Sequence, residues 1–183
     1  RRLMSTEAVV IAGAGSGKTR VVTVKIAYLI DEIGVDPRSI LAVTFTNKAA
    51  GEMRHRAAQL VDRSGDVIIR TFHSFGAWFL RRNADLAGMP RGFSIYDDDD
   101  SLSLLRSLFS QYNRNTLAAI SHQISRAKDY CLRPQDDLSP VSEHPEFGTF
   151  YQRYDQRLQE IGNVDFGDLI LRPVELLEQD EML

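Results

Sequence analysis

Hydrophobic positions fall into two rhythms along the first half of the chain. Short apolar and β-branched runs occur at "AVVIA" (8–12), "ILAVTF" (40–45) and "VIIRTF" (67–72), the signature of buried parallel strands. Between them, at about 18–33 and 47–62, apolar residues recur at helical spacing. Val22, Ile26, Leu29, Ile30 and Ile33 mark one face of the first stretch, Met53 and Leu60 that of the second. Strands alternating with helices of this length predict an α/β architecture, a parallel sheet with crossover helices. From about residue 88 the pattern changes. Helices are predicted at 101–112, 115–130, 146–161 and 166–180, and Pro134, Pro140 and Pro145 force a loop at 132–148. The expected organisation is an α/β domain over 1–87, a helical subdomain over 88–162, and a last helix at 163–183 returning to the α/β domain.

Ligands of open parallel sheets bind beyond the carboxyl ends of the strands. The segment after the first run is "AGAGSGKTR" (12–20). It meets the pattern G-x-x-x-x-G-K-[ST] except that Ala12 stands in the first position. Small residues let the backbone approach a ligand, successive N–H groups curl around an anion, and the following helix aims its positive end at it. Ala12, Gly13, Ala14, Gly15, Ser16 and Gly17 would cradle phosphates. Lys18 would reach the terminal phosphates and Thr19 would take Mg²⁺. The preceding strand and following amphipathic helix supply the required context, so a nucleoside triphosphate with Mg²⁺ is expected.

The other two strand ends carry a different chemistry. Thr44 and Thr46 close the second strand, and Lys48 opens a helix whose first amides lack intrahelical partners. Hydroxyls, a lysine and free amides suit a phosphodiester, and Phe45 can stack on a base or enter the core. "TFHSFGAWFLRR" (71–82) repeats the design. Thr71, His73 and Ser74 suit phosphates or sugars, Arg81 and Arg82 add positive charge, and Phe72, Phe75, Trp78 and Phe79 are expected in the core. Two later acidic groups read as helix starts rather than metal sites. "YDDDDS" (96–101) places acids ahead of a helix, and in "NVDFGDLI" (163–170) Asp165 is the expected cap with Asp168 three residues on.

Charge sharpens this picture. The net charge of −3 hides an asymmetry: residues 1–91 carry 14 Lys and Arg against 8 Asp and Glu, and residues 92–183 carry 8 against 17. The basic half is either a polyanion-binding surface or a set of solvated faces that happen to segregate. A hydrophobic share of 43% is that of an ordinary globular protein, no apolar stretch approaches a membrane span, and no signal peptide is visible. Cys131 is the one cysteine, which excludes an internal disulfide and suggests a reducing, cytoplasmic setting.

Taken together, these stretches resemble the UvrD/Rep-like group of superfamily 1 DNA helicases. "AGAGSGKTR" is similar to its motif I, "ILAVTFTNKAAGEMRHR" to motif Ia, and "TFHSF" with "LRR" to motif Ib. "FSIYDDDD" and "VDFGDLI" are similar to the segments bounding the family's helical 1B subdomain. The resemblance implies a RecA-like P-loop NTPase fold with an all-helical insertion, and an ATP-driven motor moving 3′ to 5′ on single-stranded DNA and separating duplex. It implies ATP and Mg²⁺ as cofactors, with Arg20 against the nucleotide. It also places Thr44, Phe45, Asn47, His73 and Ser74 on the single-strand path. The family's adenine-reading glutamine has no counterpart before residue 12, and no strand ending in paired metal-holding acids follows. The chain is therefore expected to be the N-terminal part of such a motor, without ATP turnover of its own. The alternatives are a motor piece of a RecB/AddA-type helicase–nuclease subunit, a non-catalytic DNA-binding module, and a P-loop kinase, for which no phosphoryl-acceptor site or lid stands out.

Overall fold

The computed structural model describes residue 11 and residues 17–179. The first strand-like run and the loop residues Ala12, Gly13, Ala14, Gly15 and Ser16 lie outside the described residues, apart from Ile11. The chain divides into two compact units, Arg1–Thr71 and Phe72–Leu183.

In the first unit, helix α1 spans Lys18–Asp31, strand β1 Leu41–Thr44, helix α2 Asn47–Leu60 and strand β2 Ile68–Thr71. The two strands pair in parallel with Leu41 opposite Ile68 and Thr44 opposite Thr71, as a strand–helix–strand crossover requires. Ile26 and Ile30 of α1 meet Ala50, Met53 and Ala57 of α2, with Ile40, Ala42 and Ile69 from the strand region. α2 has few large apolar residues, so its seat is reinforced by a polar bond: Arg54 Nη1 donates to the Ile69 carbonyl at 2.8 Å. Three expected core positions are exposed, namely Val22, Ile33 and Leu60. The inward face of α1 runs through Thr23, Ile26 and Ile30, and Val22 lies to one side of it, about 70° from its middle. Ile33 lies past the end of α1, and Leu60 ends α2 just before Val61 turns into the core. Thr23 is tolerated inside because its hydroxyl is bonded to the Thr19 and Arg20 carbonyls.

The second unit begins with α3 (Phe72–Arg82), followed by β3 (Ile95–Tyr96), α4 (Asp98–Leu108), α5 (Arg114–Asp129), α6 (Phe147–Glu160), β4 (Val164–Asp165) and α7 (Asp168–Gln179). β3 and β4 form a two-residue parallel pair, too short to leave a periodic signal in the sequence. α4 starts at Asp98 and ends at Leu108, earlier at both ends than the 101–112 expected. Asp97 and Asp100 form a reciprocal capping box that fixes its start, so the acid run is a helix cap. One apolar cluster joins α4, α5 and α6 through Leu105, Leu117, Ile124, Phe147, Phe150 and Leu158. The other joins α3 and α7 through Ala77, Leu80, Leu169 and Leu176. Phe72, expected in the core, is 40% exposed at the start of α3.

The seam between α3 and α7 depends on two backbone features. Pro173 sits inside α7 and has no N–H to give the carbonyl four residues back, that of Leu169. Gly76 of α3 packs against that carbonyl: a Cβ on it would lie 1.7 Å from the Leu169 oxygen. Only glycine allows such an approach.

Candidate nucleotide and nucleic-acid site

α1 starts from Gly17, whose φ of 89° is left-handed, so the chain turns sharply into the helix. Lys18, Thr19 and Arg20 form its first turn. Among the described residues, that turn holds no acidic residue and no capping side chain, so the turn itself carries nothing that offsets the positive end of the helix dipole. Thr19 is half-buried, and Lys18 and Arg20 are exposed.

The second group of residues follows β1. Thr44 is half-buried beside Thr71, its partner in the strand register, and Thr71 is buried. Phe45, Thr46, Asn47 and Lys48 are all exposed, Phe45 at 90%. Thr46 is the N-cap of α2: its Oγ1 accepts from the Ala49 amide at 3.1 Å, keeping its own proton for another acceptor. The chain therefore presents an aromatic ring, a hydroxyl, an amide and an ammonium in four consecutive exposed positions at a helix start. Arg54 and Arg56 of α2 are engaged within this unit, Arg54 with the Ile69 carbonyl and Arg56 with Glu52.

The third group lies in the second unit. β2 passes into α3 without a loop, so His73 and Ser74 occupy the first turn of α3 rather than a loop. His73 is exposed and stands edge-on to Phe166, with ring centroids 5.9 Å apart. Arg81 lies over Phe93 at 4.9 Å and Arg82 over Trp78 at 5.8 Å, so both guanidinium groups also pack on rings. Among the described residues no cluster of His, Cys, Asp and Glu could hold a metal ion. No described helix is long and apolar enough to cross a membrane.

Sequence reasoning found Asp165 and Asp168 as a cap but missed their third partner. The cap is reciprocal: the Asp168 amide donates to Asp165 Oδ1 at 2.9 Å, and the Asp165 amide to Asp168 Oδ2 at 3.2 Å. The remaining oxygens, Asp165 Oδ2 and Asp168 Oδ1, each accept from Lys128 Nζ at 2.8 Å. Lys128 is fully buried. Burial alone would lower its pKa, but the carboxylates of Asp168, Asp165 and Asp155 hold it above the ordinary lysine value. Asp168 is lowered for the matching reason: burial opposes its charge, and Lys128 and Arg172 outweigh that. A signal was present, since Lys128 continues the buried face of α5 four residues after Ile124.

The family described as the UvrD/REP helicase N-terminal domain matches residues 2–183. ATP-dependent DNA helicase PcrA of Staphylococcus epidermidis is 40% identical over 177 residues, which cover 93% of this chain and 24% of that protein. ATP-dependent DNA helicase PcrA of Staphylococcus aureus is 38% identical over 177 residues with the same coverage. The chain thus spans about a quarter of the length of these curated relatives. Its mixed helices and small parallel sheets accord with the match, and the chain belongs to the UvrD/REP helicase N-terminal domain family.

Proposed function

We propose that this chain is the ATP- and single-strand-DNA-binding part of an ATP-dependent DNA helicase that couples hydrolysis to 3′–5′ unwinding of duplex DNA in the cytoplasm. In this reading residues 1–87 and 163–183 belong to a RecA-like P-loop domain and 88–162 to its helical insertion. The observation that carries it is the start of α1. A left-handed Gly17 leads directly into Lys18 and Thr19, and among the described residues the first turn holds neither an acidic residue nor a side-chain cap. An acid there would repel a triphosphate, and a cap would occupy the amides that bind it.

The residues fit the cofactors of this reading. Residues 12–17 would surround the phosphates, Lys18 would neutralise the β- and γ-phosphates, Arg20 would lie against the nucleotide, and Thr19 would hold Mg²⁺. The bound metal supplies charge neutralisation on the phosphate oxygens. Lys18 would orient the terminal phosphate, and the helix end would favour negative charge on it. Thr44, Thr46, Asn47, Lys48, Thr71, His73 and Ser74 would contact the sugar–phosphate backbone, and Phe45 would stack on a base, giving sequence-independent binding.

Calorimetric titration of the full-length protein with Mg²⁺–ATP tests the nucleotide half. Lys18→Ala removes the charge that meets two phosphates and is expected to weaken binding by at least about tenfold, the loss of one charge-assisted contact. Unchanged affinity in that variant overturns the reading.

A further inference from the structure

The buried lysine has a consequence beyond holding the fold. Burying an ion pair contributes little net stability, because desolvation offsets the attraction; what such a pair does well is select one geometry. Here that geometry is a four-residue turn. Asp165 and Asp168 each spend one oxygen closing the turn and the other on Lys128 Nζ. The Tyr154 hydroxyl also donates to Asp165 Oδ2, at 3.0 Å. Of the two residues between them, Gly167 is pressed against the lysine stem, where a Cβ would come within 2.7 Å of Lys128 Cβ. Phe166 is left to point outward, 51% exposed, with its ring edge-on to His73. The chain from the ammonium to the imidazole is therefore continuous: Lys128, the Asp165–Asp168 turn, Phe166, His73.

The geometry points to Lys128 as a positioning residue for nucleic-acid binding, setting the orientation of His73 through the turn and the Phe166 ring. This rests on the reading that His73 contacts the single strand. Lys128 lies 55 positions from His73 in sequence and touches no nucleic acid itself. The α3–α7 seam makes the coupling stiff. His73 and Phe166 meet one helical turn ahead of the close approach of Gly76 to Leu169, so a shift of the turn moves the ring against which the imidazole rests.

A double-mutant cycle on affinity for a labelled oligothymidine, measured with the full-length protein, tests this. His73→Ala and Lys128→Met are each expected to weaken binding by up to about tenfold. Because the lysine acts through the histidine, the double variant is expected to bind as His73→Ala does, with no further loss. A purely structural lysine would multiply the two losses, and that result overturns the proposal. So does an unchanged affinity in Lys128→Met while His73→Ala is weakened, an outcome that leaves the DNA reading standing. Unchanged affinity in His73→Ala with a loss in Lys128→Met overturns the DNA role of His73 and the coupling with it. Nucleotide affinity of Lys128→Met is expected at the parent level, which separates a local change from collapse. If Lys128→Met fails to fold, Asp168→Asn, which keeps the side-chain shape, replaces it in the same cycle under the same criteria.

Discussion

Phe45 shows what a single residue can and cannot say. Its place at the end of an apolar run leaves core and stacking readings open in the sequence. In the structure β1 stops at Thr44, Thr46 caps α2, and the ring between them is 90% exposed. A large apolar side chain so exposed, next to Lys48 and a helix start, has the setting of a stacking platform. Stacking on a base is worth about 1–3 kcal/mol and involves no counterion release, whereas each phosphate contact steepens the salt dependence. Phe45→Ala is therefore expected to weaken oligothymidine binding by that amount at every salt concentration, leaving the slope of log affinity against log salt unchanged. Lys48→Ala is expected to lower that slope. Fluorescence anisotropy across a salt series reads both, and a Phe45→Ala loss that disappears at high salt counts against stacking.

At the scale of elements, the seam between α3 and α7 is decided by backbone rather than by side-chain chemistry. Pro173 withdraws the amide that would have satisfied the Leu169 carbonyl, and Gly76 fills the space beside it. Gly76→Ala is expected to destabilise the unit Phe72–Leu183 by about 3 kcal/mol, the upper end for overpacking against a rigid partner, even though alanine is the better helix former. Urea unfolding followed by Trp78 fluorescence measures it, since the chain's one tryptophan lies on α3. A neutral or stabilising result would mean that α7 can move away at little cost. Helix starts behave more simply. The acid run at Asp97–Asp100 caps α4, and Asp165 with Asp168 caps the start of α7, as a reading of carboxylates near helix N-termini predicts.

For the whole molecule, the buried polar cluster sets the response to alkali. Lys128 is raised above its ordinary value of 10.5 by the three aspartates, which overcome burial. Tyr151 and Tyr154 are raised above 10.0, chiefly by burial and then by nearby carboxylates, Asp155 for the first and Asp165 for the second. All three keep their protons in the folded state at a pH where the unfolded chain loses them. Their contribution is therefore intact below about pH 10 and declines as pH rises toward the folded values, by about 1.4 kcal/mol per pH unit for each group once its unfolded form has titrated. Urea midpoints read from Trp78 are expected to fall steeply above about pH 10, and less steeply in Lys128→Met. A flat profile to pH 11 would show that the cluster opens to solvent. Asp168 acts at the other end: held below its ordinary value, it supports the fold above about pH 4, and that support is lost as it protonates on acidification.

Local rules carried much of the reading. The helices and both described strands of the first half follow from periodicity, and the caps follow from short-range hydrogen bonding, because each depends on residues within one or two turns of one another. The proposal for Gly17, Lys18 and Thr19 could be made from sequence for the same reason: a phosphate seat, where one exists, is built from consecutive backbone. What the sequence could not reach were features made by distant segments meeting. The β3–β4 pairing joins Ile95 to Val164, Gly76 meets Leu169, and Lys128 closes on Asp165 and Asp168 across 37 and 40 positions. The exposure of Val22, Ile33 and Leu60 belongs with these, since periodicity marks an apolar face but only packing decides which part of it finds a partner. A buried charge is stable only where its partners converge, and convergence is a property of the folded chain.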